Sequence, residues 1–166
     1  MKTALKISAV ILALSGHHIA ALAQSAVDGS KLPGVWNCAV SIPVNASGTT
    51  KVIRGHATYN PNGTVVHEDR IIQTSSEGKP VEVNLIGLSD WSFSKESNRL
   101  YETLRKVDLQ FDKTNPQAAL MGVQMDRNYQ TVVGKKQVST VVRLNDKEWT
   151  SLLVNDTLAV MCERGQ

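Results

Sequence analysis

The histidines and acidic residues near the middle of the chain are the residues whose types and spacing could most readily support chemistry. His56 and His67 flank an Asn-Pro-Asn-Gly sequence at 60–63, and Glu68 and Asp69 directly follow the second histidine. If 60–63 is a hairpin turn, the two histidines come roughly opposite each other on paired strands. Imidazole and carboxylate groups bind zinc, but a zinc site requires three or four ligands in fixed geometry. Solvent-facing polar residues are therefore the favoured interpretation, and a metal site or a pH-sensitive histidine pair are the alternatives.

Other catalytic patterns are missing from the sequence. It contains no G-x-S-x-G nucleophile motif and no glycine-rich phosphate-binding loop. Glu68 and Asp69 are adjacent, so within a strand they point to opposite faces and cannot work as a paired acid and base. Basic and acidic residues alternate through 95–108, which is typical of a solvated face. We therefore predict a protein that is not an enzyme and that uses no cofactor and no metal.

The first 23 residues have the pattern of a secretory signal peptide. Two lysines precede a short apolar stretch at 7–14, and Ala21-Leu22-Ala23 matches the small-x-small cleavage pattern. The apolar stretch is shorter than the roughly 20 residues that a membrane-spanning helix needs. We predict cleavage before Gln24, no transmembrane segment, and a periplasmic mature protein, with secretion as the alternative.

The two cysteines suggest one disulfide near the chain ends. Export permits disulfides, and only one intramolecular pairing exists for Cys38 and Cys162. Trp36, Cys38 and Val40 alternate in one predicted strand, and Val160 and Cys162 do so in the last, so both sulfurs are expected to face one core. Cross-linked terminal strands favour a closed sheet. The alternative is two unpaired buried thiols.

The charge and composition exclude further classes of protein. The 166 residues include 18 Lys or Arg and 15 Asp or Glu, and two of the basic residues belong to the signal segment. So small an excess of positive charge argues against a nucleic-acid partner. With 42% hydrophobic residues, the chain is expected to fold as one domain rather than remain disordered. We predict a flexible leader at 24–33 and a single domain at 34–166.

Short alternating segments separated by turns predict an all-β fold. Residues 51–59 alternate apolar and polar side chains, and Asn62-Gly63 favours a tight hairpin after them. Near the C-terminus, residues 138–144 alternate so that Val138 and Val142 are expected to face inward. About eight such strands predict an antiparallel up-and-down β-barrel with at most one short helix.

Residues 114–133 fit two structures. Thr114-Asn115-Pro116 resembles a helix N-cap followed by proline in the first turn. Met121 and Met125 lie on one stripe of a helix, but they also alternate as in a strand, and Gly122 weakens a helix. Helix is the favoured interpretation, and strand remains open.

The opening Gly34-Val35-Trp36 resembles the G-x-W signature of the lipocalin and wider calycin superfamily. The resemblance implies a barrel in which Trp36 lies at the closed end and a basic residue from a late strand packs over it. Arg143 is assigned that role, with Arg164 as the alternative. Small exported lipocalin-like proteins show a similar layout in four places, which correspond here to Gly34–Cys38, Tyr59–Thr64, Gly87–Trp91 and Cys162–Arg164.

Two functions fit these observations. The first is a binding protein that holds a small apolar or amphipathic ligand, since an eight-stranded barrel can enclose one. Its wall is expected to include Trp91, Tyr101, Met121 and Met125. The second is a protein-interaction module of the cell envelope with a filled barrel, such as a hydrolase inhibitor or an accessory subunit.

Overall fold

The computed structural model describes residues 26–43, 50–74, 79–153 and 157–165. The signal peptide predicted at 1–23 lies outside these residues. No helix of the described ranges has the length and apolar character that crossing a membrane would require.

Eight antiparallel strands form a closed barrel in which every strand pairs with its sequence neighbours. The last strand pairs with the first, which completes the ring. This confirms the predicted eight-stranded up-and-down barrel. The strands are β1 (Gly34–Pro43), β2 (Thr50–Tyr59), β3 (Thr64–Thr74), β4 (Pro80–Ser94), β5 (Arg99–Phe111), β6 (Lys136–Leu144), β7 (Glu148–Leu153) and β8 (Leu158–Arg164).

The hairpin between β2 and β3 forms where the Asn-Gly sequence predicted it. Gly63 has a φ of +84°, a conformation that glycine adopts at little cost. The Asn60 backbone N–H donates to the Thr64 carbonyl at 2.8 Å, and the Asn62 side chain accepts from the Thr64 N–H. Tyr59 therefore pairs with Val65, and this register decides which residues of β3 face the interior.

A disulfide closes the barrel between β1 and β8. Cys38 and Cys162 are direct partners across the two strands, and their sulfurs are bonded. The predicted pairing is confirmed.

The one α-helix of the described residues, α1 (Pro116–Gln130), follows β5. Asn115 caps it by accepting hydrogen bonds from the Gln117 and Ala118 backbone N–H groups. The helix interpretation of this region is thereby confirmed. Met125 packs among inward-facing residues of β3 and β4, namely Ile71, Val83 and Leu85. Because β6 pairs with β5 only over Arg99–Thr103, α1 covers the inner face of the sheet beyond that point.

The segment before β1 is packed rather than loose. A short 3-10 helix, Gly29–Lys31, lies at one end of the barrel, and Val27 and Leu32 are buried in its core. The Val27 backbone N–H donates to the Asn98 side-chain oxygen at 2.9 Å. The prediction of a flexible leader at 24–33 is therefore wrong for its described part. Burial of Val27 and Leu32 in the core holds this otherwise polar segment against the barrel.

Over residues 138–142, strand β6 presents the opposite face from the one predicted, whereas Leu144, which the alternation also places inward, packs against the core. Ser139 and Val141 are buried, whereas Val138 and Val142 are exposed. Both alternating sets contain β-branched residues, so the pattern alone does not select a face. The pairing of Leu100 with Ser139 and an irregularity between Val141 and Arg143 decide it.

Candidate functional site

The closed end of the barrel is built on Trp36. Its ring is fully buried, and its indole N–H donates to the Leu32 carbonyl at 2.7 Å. The Arg164 guanidinium carbon lies 3.9 Å from the centroid of the Trp36 ring. The same guanidinium donates from Nη1 to the Pro33 carbonyl at 2.8 Å and from Nη2 to the Lys31 carbonyl at 2.7 Å. Arg164 thus joins the last strand, the first strand and the preceding segment.

Arg143, the residue first assigned to this position, lies elsewhere. Its side chain is 63% exposed and forms an ion pair with Glu148. The backbone conformation of Gly34 and the closeness of Arg164 explain why the opening motif starts with glycine. It has a φ of +130°, and a Cβ atom there would lie 2.3 Å from Arg164 Nη1. The correct basic residue could not be read from the sequence, because both arginines belong to late strands and only the register separates them.

Above this floor the barrel interior contains a partly open cavity of about 190 Å³. Its walls come from β1, β2, β3, β5, β6, β7 and β8. Most of the lining is apolar. The polar side chains that line it are Tyr59, His67, Asp69, Glu102, Ser139, Trp149 and Ser151.

Three of these polar side chains form a connected cluster across β2, β3 and β5. The Tyr59 hydroxyl donates to Glu102 Oε1 at 2.6 Å. His67 Nε2 lies 3.4 Å from the same oxygen, and the His67 and Glu102 side chains are each about a quarter exposed. Both residues line the cavity. Two neighbours therefore orient the Glu102 carboxylate.

Asp69 lies beside this cluster on β3. It shares the inward parity of Val65, His67 and Ile71, and it faces Gly55 across the β2–β3 pair. A Cβ atom at Gly55 would lie 2.2 Å from Asp69 Oδ1, so the glycine provides the space that the carboxylate occupies.

Burial and mutual contact shift the ionisation of these groups. Burial opposes the charged forms of His67 and Glu102, but their contact with each other outweighs it. The pKa of Glu102 is therefore lowered and the pKa of His67 is raised. Burial raises the pKa of Asp69 and, with the nearby Glu102 charge, raises the pKa of Tyr59 well above its usual value. These directions favour an ionised Glu102 beside a protonated His67.

Trp149 supplies a donor without an acceptor. Its side chain is 4% exposed, and its indole nitrogen has no hydrogen-bond partner within the described part of the chain. The ring stacks edge-to-face against Tyr59, with centroids 5.4 Å apart, and against Trp36 at 5.9 Å. A buried donor of this kind costs free energy unless something bonds to it.

None of the four residues predicted to form the wall lines this cavity. Trp91 packs against the closed end and donates to the Asn60 carbonyl. Tyr101 lies between the inward-facing Leu100 and Glu102, so it faces outward, where Lys136 Nζ lies 5.1 Å from its ring.

The two methionines lie on α1. Met125 is buried in the second apolar cluster, and Met121 packs against that cluster beside a surface depression. The cavity is lined instead by the polar side chains named above and by a set of apolar ones: Cys38, Ala39, Val40, Ile53, Ala57, Leu100, Leu153 and Val160.

The histidines do not form the pair considered for a metal site. His67 is opposite Ala57, and His56 is opposite Glu68, so the two imidazoles point to opposite faces. His56 faces outward and hydrogen-bonds the Asn37 side-chain oxygen. The described residues contain no group of three or more His, Cys, Asp or Glu arranged to hold a metal ion.

A signal for the interior cluster was present in the sequence. His67 and Asp69 occupy the apolar parity of β3, and Glu102 occupies that of β5 after Leu100. A polar residue at an apolar position of an alternating strand is a candidate for an interior site.

Neither a protein-family model nor a curated protein matches this chain.

Proposed function

We propose that this chain is an exported, lipocalin-like binding protein that holds one small amphipathic ligand inside its barrel. The observation that carries the proposal is the interior cavity of about 190 Å³, where apolar walls surround a Tyr59–Glu102–His67 cluster and an unbonded indole N–H. Apolar side chains alone would fill a purely structural core at lower cost, because buried polar groups destabilise a fold unless they are bonded. Polar groups that converge on an apolar cavity are typical of ligand sites.

The volume of the cavity limits the ligand. Sites for drug-sized molecules usually enclose roughly 300–1,000 Å³, whereas an apolar cavity of about 150 Å³ accommodates benzene. A cavity of about 190 Å³ therefore suits a single ring with a short substituent rather than a long acyl chain.

Two further observations support the export and the relationship. The Cys38–Cys162 disulfide is compatible with an oxidising compartment, as expected after removal of the predicted signal peptide. The contact of Arg164 with Trp36 is the arrangement that the lipocalin resemblance implies for the closed end.

Mass spectrometry of the protein purified from a periplasm tests this function. The denatured mass should correspond to a chain that begins near Gln24 and has lost two hydrogens to the disulfide. The native mass should exceed it by a reproducible increment that disappears on unfolding, and that increment identifies the ligand class.

A cavity-filling variant provides the matched comparison. Ser151 is buried on the cavity wall, so Ser151→Leu should abolish the extra mass. Thr150 is the neighbour of Ser151 on β7 and faces the other side of the strand, so Thr150→Leu should retain the extra mass.

A native mass of the wild type with no added molecule would contradict the carrier function and favour the alternative, a protein-interaction module. Leu120, which is 60% exposed on α1, would then be the first position to test for a partner.

A further inference from the structure

We infer that the cavity selects a small protonated amine that also carries a hydrogen-bond acceptor oxygen, bound through Asp69, Glu102 and the Trp149 indole N–H. This inference rests on the proposed binding function and specifies its ligand.

The charges that line the cavity favour a cation. Asp69 and Glu102 are carboxylates, and His67 is the one basic side chain among the described residues of the lining, which include no lysine or arginine. The His67 imidazole is already engaged with Glu102. The charges of His67 and Glu102 offset each other, so the excess negative charge of the lining belongs to Asp69. An ammonium group that binds there favours the ionised form of Asp69, whereas a carboxylate is repelled.

The geometry leaves acceptors available for the ammonium group. Tyr59 and His67 both contact Oε1 of Glu102, so Oε2 is free of these two contacts. Asp69 lies two residues along the same strand from His67, on the same face. Both carboxylates line the cavity, so an ammonium group bound there is attracted by both, and charge-assisted hydrogen bonds to a carboxylate are stronger than neutral ones.

The aromatic side chains complete the specificity. Tyr59 and Trp149 both line the cavity, and aromatic rings attract organic cations through their faces. The Trp149 indole N–H can only donate, so it requires an oxygen of the ligand. A ring with an amine on one side and a hydroxyl on the other meets both requirements within the available volume.

Four matched probes test the inference by calorimetry on the full mature chain: tyramine, its neutral alcohol tyrosol, 4-hydroxyphenylacetate, and phenethylamine. Tyramine should bind about tenfold or more tightly than tyrosol, because a hydrogen bond to a charged group is worth more than a neutral one. 4-Hydroxyphenylacetate should not bind detectably. Phenethylamine, which lacks the acceptor, should bind about three- to tenfold more weakly than tyramine.

Variants assign the contacts. Asp69→Asn and Glu102→Gln keep the shape of the side chain but remove the charge, so each should weaken tyramine about tenfold and change tyrosol little. Asp108→Asn changes an exposed carboxylate on β5 and should leave both affinities unchanged. Trp149→Phe should remove the preference for tyramine over phenethylamine. Melting curves identify any variant that fails to fold, and the comparison of probes on the wild type does not depend on the variants.

The outcomes separate this inference from the proposed function. Equal binding of tyramine and tyrosol, preferred binding of the acid, or no binding of any probe would each overturn the amine inference. If the native mass still shows a bound molecule, the binding function stands with a different ligand class. If the native mass is bare as well, the binding function also fails.

Discussion

Removing the Arg164 guanidinium should lower the stability of the barrel more than removing the exposed Arg143 guanidinium. The substitution Arg164→Met keeps much of the aliphatic stem but deletes the two short hydrogen bonds to the Pro33 and Lys31 carbonyls, a longer one to the Asp146 carbonyl, and the contact with the Trp36 ring. These contacts hold the end of β8 to the segment that covers the barrel floor.

The size of the effect follows from these contacts. Hydrogen bonds from a charged donor contribute about 1.5 kcal/mol or more each, and a cation–π contact about 0.5–1 kcal/mol at a partly exposed site. We therefore expect Arg164→Met to lower the free energy of unfolding by about 3–4 kcal/mol and the melting temperature by roughly 10 °C. Arg164→Lys should fall between the wild type and Arg164→Met, because one ammonium group cannot reproduce the fork that reaches two carbonyls.

Arg143→Met provides the matched control. Arg143 forms a solvent-exposed ion pair with Glu148, and such pairs are worth about 0–1 kcal/mol. Urea unfolding of the two variants, followed by circular dichroism, gives both free energies. If Arg164→Met loses no more stability than Arg143→Met, the contacts at the floor do not stabilise the fold and the reasoning is refuted.

Three further predictions concern stability. Reduction of the disulfide, which closes a loop of 124 residues, should lower the unfolding free energy by up to about 5 kcal/mol, and identical urea curves with and without reductant would contradict this. Gly122→Ala should destabilise the protein by about 1–2 kcal/mol, because the new Cβ would lie 2.3 Å from the Phe111 ring, and this clash outweighs the better helix propensity of alanine. A gain in melting temperature would show that α1 or the Phe111 ring shifts to make room. Stability should also be greatest at mildly acidic pH. The lowered pKa of Glu102 contributes stability that is lost as the pH falls below about 4.5. The raised pKa of His67 contributes stability that is lost as the pH rises above about 6.5. The variant His67→Phe should flatten the alkaline side of that profile, and an unchanged profile would remove the pair as its cause.

The sequence determined the strands, their turns and their covalent link. Alternation, the Asn62-Gly63 turn and the Asn115-Pro116 cap are local features, and local chain geometry alone is enough to convert them into strands, a hairpin and a helix. The disulfide was predictable because two cysteines permit only one intramolecular pairing.

The tertiary structure decided which residues face one another inside the barrel. The choice of Arg164 over Arg143, the inward face of β6 and the meeting of Tyr59, His67 and Glu102 all depend on strand register. A shift of one residue in register exchanges the two faces of a strand, and no local pattern fixes that shift where both faces carry similar residues. The sequence therefore determines that a barrel forms, and only the register of the paired strands determines which side chains meet in its interior.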